Sequence, residues 1–149
     1  MKETEFTAEG AEGAEKEKIG MKEKLNAISE AVIGAAIAVH RELGPGLLES
    51  AYEACLEFEL LDRGFKVDRQ LALPVRYRGV LVECGFRIDL CINDLVILEL
   101  KAVEKLDKIH EAQLHTYLRL TGLNLGLLMN FNVLRMVDGI KRIVRDFPD

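Results

Sequence analysis

Residues 84–101 read CGFRIDLCINDLVILELK, and their alternation decides the fold. In the first half, Gly85, Arg87, Asp89 and Cys91 fall on one face of a strand, with Cys84, Phe86, Ile88, Leu90 and Ile92 on the other. In the second half, Val96, Leu98 and Leu100 form the apolar set, and Glu99 and Lys101 lie together opposite it. Asn93-Asp94 is a turn signal between them. A loop of Asn93, Asp94 and Leu95 sets Asp89 across from Glu99 and Arg87 across from Lys101. Two carboxylates side by side repel, so a compensating charge is expected. A hard divalent cation such as Mg²⁺ suits carboxylate oxygens and water. Lys101 would point at the same site and could stabilise charge on a phosphate. Taken alone, an Asp and a Glu-Leu-Lys pattern equally describe a salt-bridge cluster on a half-exposed sheet, which is the commoner outcome.

Upstream, strand-like segments 65–78 and 80–92 meet at Arg78-Gly79 and predict, with 95–101, a three-stranded antiparallel meander. Before them come two helices. One begins near Lys22, places Leu25, Ile28, Val32, Ala35 and Val39 on one face, and ends before Gly44-Pro45-Gly46. The next runs from Leu47 to about Arg63, with Gly64 as its C-terminal cap. Its inward stripe is Glu49, Tyr52, Leu56 and Leu60, with Glu53, Glu57 and Asp62 towards solvent. Glu49 is then either a third site carboxylate or an acid favoured by the helix dipole. Downstream, a helix over Leu106–Leu120 carries Gln113 and Tyr117 one turn apart within an apolar stripe, and two further strands follow at LGLLMNF and KRIVRDF. Gln113 could orient Lys101 or a phosphate oxygen, or be a satisfied buried amide. The order α-α-β-β-β-α-β-β predicts one α/β domain over residues 21–149, without a repeat.

The 149 residues suit one core, and residues 1–20, rich in Glu, Lys, Gly and Ala, read as a disordered acidic tail. No apolar run reaches the roughly 20 residues of a membrane span, and no signal-like core opens the chain, so a cytoplasmic protein is expected. Three cysteines without CxxC spacing read as buried thiols, not a zinc site or a disulfide framework. Neither His110 nor His115 has ligand spacing. The net charge is −5, and removing residues 1–24, with seven Glu and five Lys, leaves 15 basic against 18 acidic residues. Any nucleic-acid contact must therefore come from a local patch or from metal ions.

Taken together, VHRELGPGLLESAYEACLEFEL, DLCINDLVILELKAVEKL, HEAQLHTYLRLTG and GLLMNF resemble the GxxExxY family, whose motif is Gly46, Glu49 and Tyr52 here. The resemblance covers roughly Leu25 to Phe147 and looks like a branch of the PD-(D/E)XK nuclease superfamily. It implies a restriction-endonuclease-like fold, a central mixed sheet flanked by helices. Asp89 and Glu99 would be metal ligands, Lys101 the catalytic lysine, and Glu49 the acid of the first core helix, helping to bind metal or its water. Gln113 and Tyr117 match the QxxxY helix of the recombination-exonuclease branch, where such residues support the site and contact substrate. The Pro that names the superfamily is absent, because Ile88 precedes Asp89. The implied activity is hydrolysis of nucleic acid, DNA foremost, with Mg²⁺ or Mn²⁺. Without a four-cysteine set, no iron-sulfur cluster is expected. The acidic surface keeps two further readings open: a non-catalytic binding or assembly module, and a nuclease whose basic groove comes from a protein partner or a second copy.

Overall fold

A computed structural model of the chain describes residues 2–149, with the side chains of residues 2–12 and Ile19 outside that description. Helix α1 spans Lys2–Leu43, starting well ahead of Lys22. Among its described residues the buried apolar ones are Leu25, Ile28, Val32, Ala35, Ala36 and Val39, the face that the spacing predicts. The expected disordered tail over residues 1–20 falls largely on positions whose side chains lie outside the described set. The chain then turns through Gly44-Pro45-Gly46, where Gly44 (φ 68°) and Gly46 (φ 100°) take left-handed conformations that side chains resist. Helix α2 covers Glu49–Asp62. Gly64 follows it in the left-handed region, its N–H bonded to Leu61 O, so the predicted terminator is in place.

The expected strands 65–78 and 80–92 each divide in two. Strands β1 (Val67–Ala72) and β4 (Arg87–Ile92) join the main sheet, whereas β2 (Val75–Tyr77) and β3 (Val80–Val82) form a separate two-stranded arm. Pro74 has no N–H to give a ladder, and Gly85 at φ 76° bends the returning chain. One bond, Leu73 N–H to Phe86 O (3.0 Å), ties the base of the arm.

Strand β5 (Val96–Lys101), helix α3 (Lys108–Thr121), strand β6 (Leu125–Asn130) and strand β7 (Ile140–Val144) complete the chain, with a short 3-10 turn at Met136–Gly139. The sheet order is β1-β4-β5-β6-β7, with β5 and β6 parallel and the other pairs antiparallel. Helix α3 is the crossover that a parallel pair requires. Helices α1 and α2 cover one face, where Leu25, Val32, Leu56, Leu90, Leu98 and Leu127 share a core. Helix α3 covers the other, where Leu114 and Leu118 pack on Ile88, Ile97 and Leu128. Covered on both sides, β5 and β6 read as near-continuous apolar runs broken by Glu99 and Asn130. This mixed sheet flanked by helices is the expected fold.

Candidate active site

The β4–β5 hairpin closes through Asn93, Asp94 and Leu95, and Ile92, Cys91 and Leu90 pair with Val96, Ile97 and Leu98. That register, carried one step further, sets Asp89 opposite Glu99, but regular pairing stops there. Instead Glu99 Oε1 accepts the Asp89 N–H (3.1 Å), and Asp89 Oδ2 accepts the Leu100 N–H (2.8 Å). Each carboxylate thus caps the backbone of the opposite strand. On its other side Asp89 faces Gln70, which sits at φ 53° within β1 and interrupts the β1–β4 ladder. A non-glycine residue seldom takes that conformation in a strand, and such strain collects at functional sites.

With both ladders interrupted at Asp89, the strand rotates about its axis. Ile88 packs in the α3-side core and Leu90 in the α1/α2-side core, which corrects the expectation that both share a face. Arg87 pairs with Ala72 on β1 and is exposed, and Lys101 pairs with Asn130 on β6; the regular β4–β5 ladder ends at Leu90–Leu98, before it reaches the expected facing of Arg87 and Lys101. The buried Asn130 side chain bonds both backbone groups of Val103, fixing the chain as it leaves Lys101.

Glu99 is 4% exposed. Burial, and then the charge of Asp89, push its carboxyl up to about 8, against the opposing pull of the Asp89 N–H and the Lys101 charge. Tyr117 is raised too, chiefly by burial and then by the Glu99 charge, while Gln113 opposes the shift. Gln113 Nε2 donates to Tyr117 Oη (3.1 Å). Lys101 from β5 and Tyr117 from α3 are thus near enough to Glu99 to interact electrostatically with it, and Gln113 joins through its bond to Tyr117. His110 accepts the Asp107 N–H in a capping box, a structural role.

On the α2 side a cleft of about 280 Å³ is lined by Glu49, Ser50, Glu53, Gln70, Asp89 and Leu100. Glu49 is exposed in the first turn of α2. Tyr52 explains the motif around it: its hydroxyl donates to Gly44 O (2.6 Å) and accepts the Leu47 N–H (3.1 Å), and its ring stacks on Phe131 at 4.6 Å. Glu53, expected to face solvent, is buried at 7% exposure. Its oxygens take Gln70 Nε2 (2.6 Å) and Arg69 Nε (2.9 Å), and Gln70 Nε2 also reaches Asp89 Oδ1 (3.3 Å). Neither Glu53 nor Gln70 stands out in the sequence. A signal is nonetheless present: Glu49, Glu53 and Glu57 stack one turn apart, and like charges at that spacing call for a partner. Of the three cysteines, Cys91 alone is buried, so the expectation of buried thiols fails for Cys55 and Cys84.

No group of three or more Asp, Glu, His or Cys among the described residues is arranged as a metal site. The donors nonetheless suit a hard cation: Asp89, Glu99 and Glu49 offer only oxygen, and Glu99 holds a proton at neutral pH where a cation would relieve the same repulsion.

A mixed sheet whose central hairpin parts at an Asp, with a Glu and a Lys on the next strand, defines a restriction-endonuclease-like domain. A profile of the PD-(D/E)XK nuclease superfamily matches residues 26–143, and the chain belongs to that superfamily. No curated protein and no solved structure matches it.

Proposed function

We propose that this protein is a metal-dependent phosphodiesterase that hydrolyses nucleic acid, DNA foremost, within the GxxExxY branch of the superfamily. The observation that carries this reading is the reciprocal clasp of Asp89 and Glu99 with Glu99 buried. A stability-driven fold gains little by burying a carboxylate beside another one. Asp89 and Glu99, with Glu49 on the cleft rim, would hold Mg²⁺ or Mn²⁺. When bound, the metal supplies acidified water and positive charge at the phosphate.

Lys101 acts on Glu99 through its charge and stabilises charge developing on the phosphate. Burial and the neighbouring negative charges keep the Tyr117 hydroxyl protonated. It can therefore donate to a phosphate oxygen, steadied by Gln113. Glu53 and Gln70 hold Asp89 in place from behind. The test is cleavage of single-stranded and duplex DNA and of RNA with Mg²⁺ or Mn²⁺. Wild type is expected to cut, with Glu99→Gln and Lys101→Ala each slower by on the order of a hundredfold. Equal rates for all three would sink the assignment.

One observation favours a non-catalytic module instead: both oxygens of Asp89 already have protein donors, from Leu100 and Gln70. Calorimetry separates the readings. A catalytic site binds Mn²⁺ and loses that heat in Asp89→Asn, whereas a structural clasp gives none in either protein.

A further inference from the structure

Between the base of the β2–β3 arm and helix α3 lies a groove of about 300 Å³, a volume at the small end for ligand pockets. Val75 and Phe86 form one wall, and Ile109, Gln113, Tyr117 and Arg119 are on the other. Phe86 stands edge-on to Tyr117, ring centres 6.4 Å apart at 63°, and keeps 44% of its surface open; Ile109 keeps 70%. Tyr117, which feels the charges of Glu99 and Asp89 and holds Gln113 by a hydrogen bond, links the groove's α3 wall to the carboxylate pair.

The surroundings are more basic than the chain as a whole. The arm and its base, residues 73–87, carry Arg76, Arg78 and Arg87 against Glu83 alone, and Arg119 lines the groove from α3. Tyr77, Val80 and Leu81 on the arm are more than half exposed. Apolar and aromatic surface interleaved with arginine suits a strand whose bases are free to stack, since any base offers a π-face and the arginines meet the backbone phosphates. In a duplex those base faces are already stacked and out of reach.

We infer that this groove is a subsite for an unpaired nucleobase of single-stranded DNA, with Phe86 as stacking platform and Arg119 and the arm arginines on the flanking phosphates. It rests on the nuclease reading of the adjacent site and makes the preferred substrate a single strand or a frayed end. It also supplies a local basic footprint within a chain whose net charge is −5.

Fluorescence anisotropy with the full chain, at low salt and with a chelator to prevent cleavage, tests it. The probes are labelled oligothymidylate, a duplex of equal length, an abasic strand and oligouridylate. Oligothymidylate is expected to bind tightest. Phe86→Ala should weaken it roughly tenfold without further weakening the abasic strand. Ile109→Glu, at an exposed position that does not endanger folding, should weaken it as well. Duplex or abasic binding as tight as oligothymidylate, tighter binding of oligouridylate, no binding of any probe, or indifference to both substitutions would each overturn the inference. Failure here is distinguishable from failure of the nuclease reading. If Glu99→Gln stops cleavage while Phe86→Ala binds normally, the groove is wrong and the nuclease stands; the opposite pattern leaves a binding groove without a nuclease.

Discussion

The wall of the site made by α2 and β1 is polar and closed on itself, whereas the wall made by α3 and the arm is apolar and open. On the first, Arg69, Glu53 and Gln70 form a chain of contacts that ends on Asp89. On the second, Phe86 and Ile109 stand exposed around a groove that no described side chain fills. A closed polar network fixes geometry, while an open apolar surface beside reactive groups accepts a ligand. Asp89 and Glu99 lie where the two meet.

The largest expected effect comes from the residue on that seam. Asp89→Asn keeps the shape and an oxygen for the Leu100 N–H but removes the charge. Cleavage is expected to fall by on the order of a hundredfold to a thousandfold, with loss of Mn²⁺ binding. A variant that cuts nearly as fast as wild type would mean that the polar wall holds a structural residue in place.

Next comes pH. In the metal-free protein Glu99 titrates near 8 when folded and near 4.5 when unfolded. The folded state binds this proton more tightly, so the stabilisation is full below about pH 4.5 and is lost as the pH rises towards 8. Denaturation in chelator should show stability falling by on the order of a few kcal/mol between about pH 5 and 8. Glu99→Gln should flatten the profile. A flat wild-type profile would show that the open wall lets water reach Glu99.

The two walls should also differ in kinetics. Glu53→Gln or Gln70→Ala loosens the support of Asp89 and is expected to lower kcat about tenfold to a hundredfold with little change in KM. Phe86→Ala is expected to fall on KM instead. The same signature from both walls would erase the distinction between them.

How much of the two walls is legible in the sequence follows from how local each feature is. The three-residue turn and the alternation of 84–101 are enough by themselves to place Asp89 opposite Glu99, and Gly64 and Gly122 mark the ends of α2 and α3. The division of 65–78 and 80–92 is not legible in the same way. Strand propensity runs on through both, and only Pro74 and Gly85 hint that an arm leaves the sheet. Glu53 reads as solvent-facing because its partners, Arg69 and Gln70, arrive from a strand beyond the helix. Ile88 changes faces because the ladders on both sides of Asp89 fail, which a single strand's alternation cannot reveal.

The smallest effect tests how far the closed wall extends. The Tyr52 hydroxyl bridges Gly44 O and the Leu47 N–H, holding the glycine turn against the start of α2 where Glu49 stands. Tyr52→Phe keeps the ring on Phe131 and removes only that bridge. Because the turn is largely exposed, water can replace part of what is lost, and the cost should be about 1 kcal/mol, a fall in Tm of roughly 2–4 °C. If Glu49 works with Asp89, cleavage should also slow severalfold, because the first turn of α2 loses its anchor. A variant that melts earlier yet cuts at the wild-type rate would end the closed wall at Glu53 and leave Glu49 outside the chemistry.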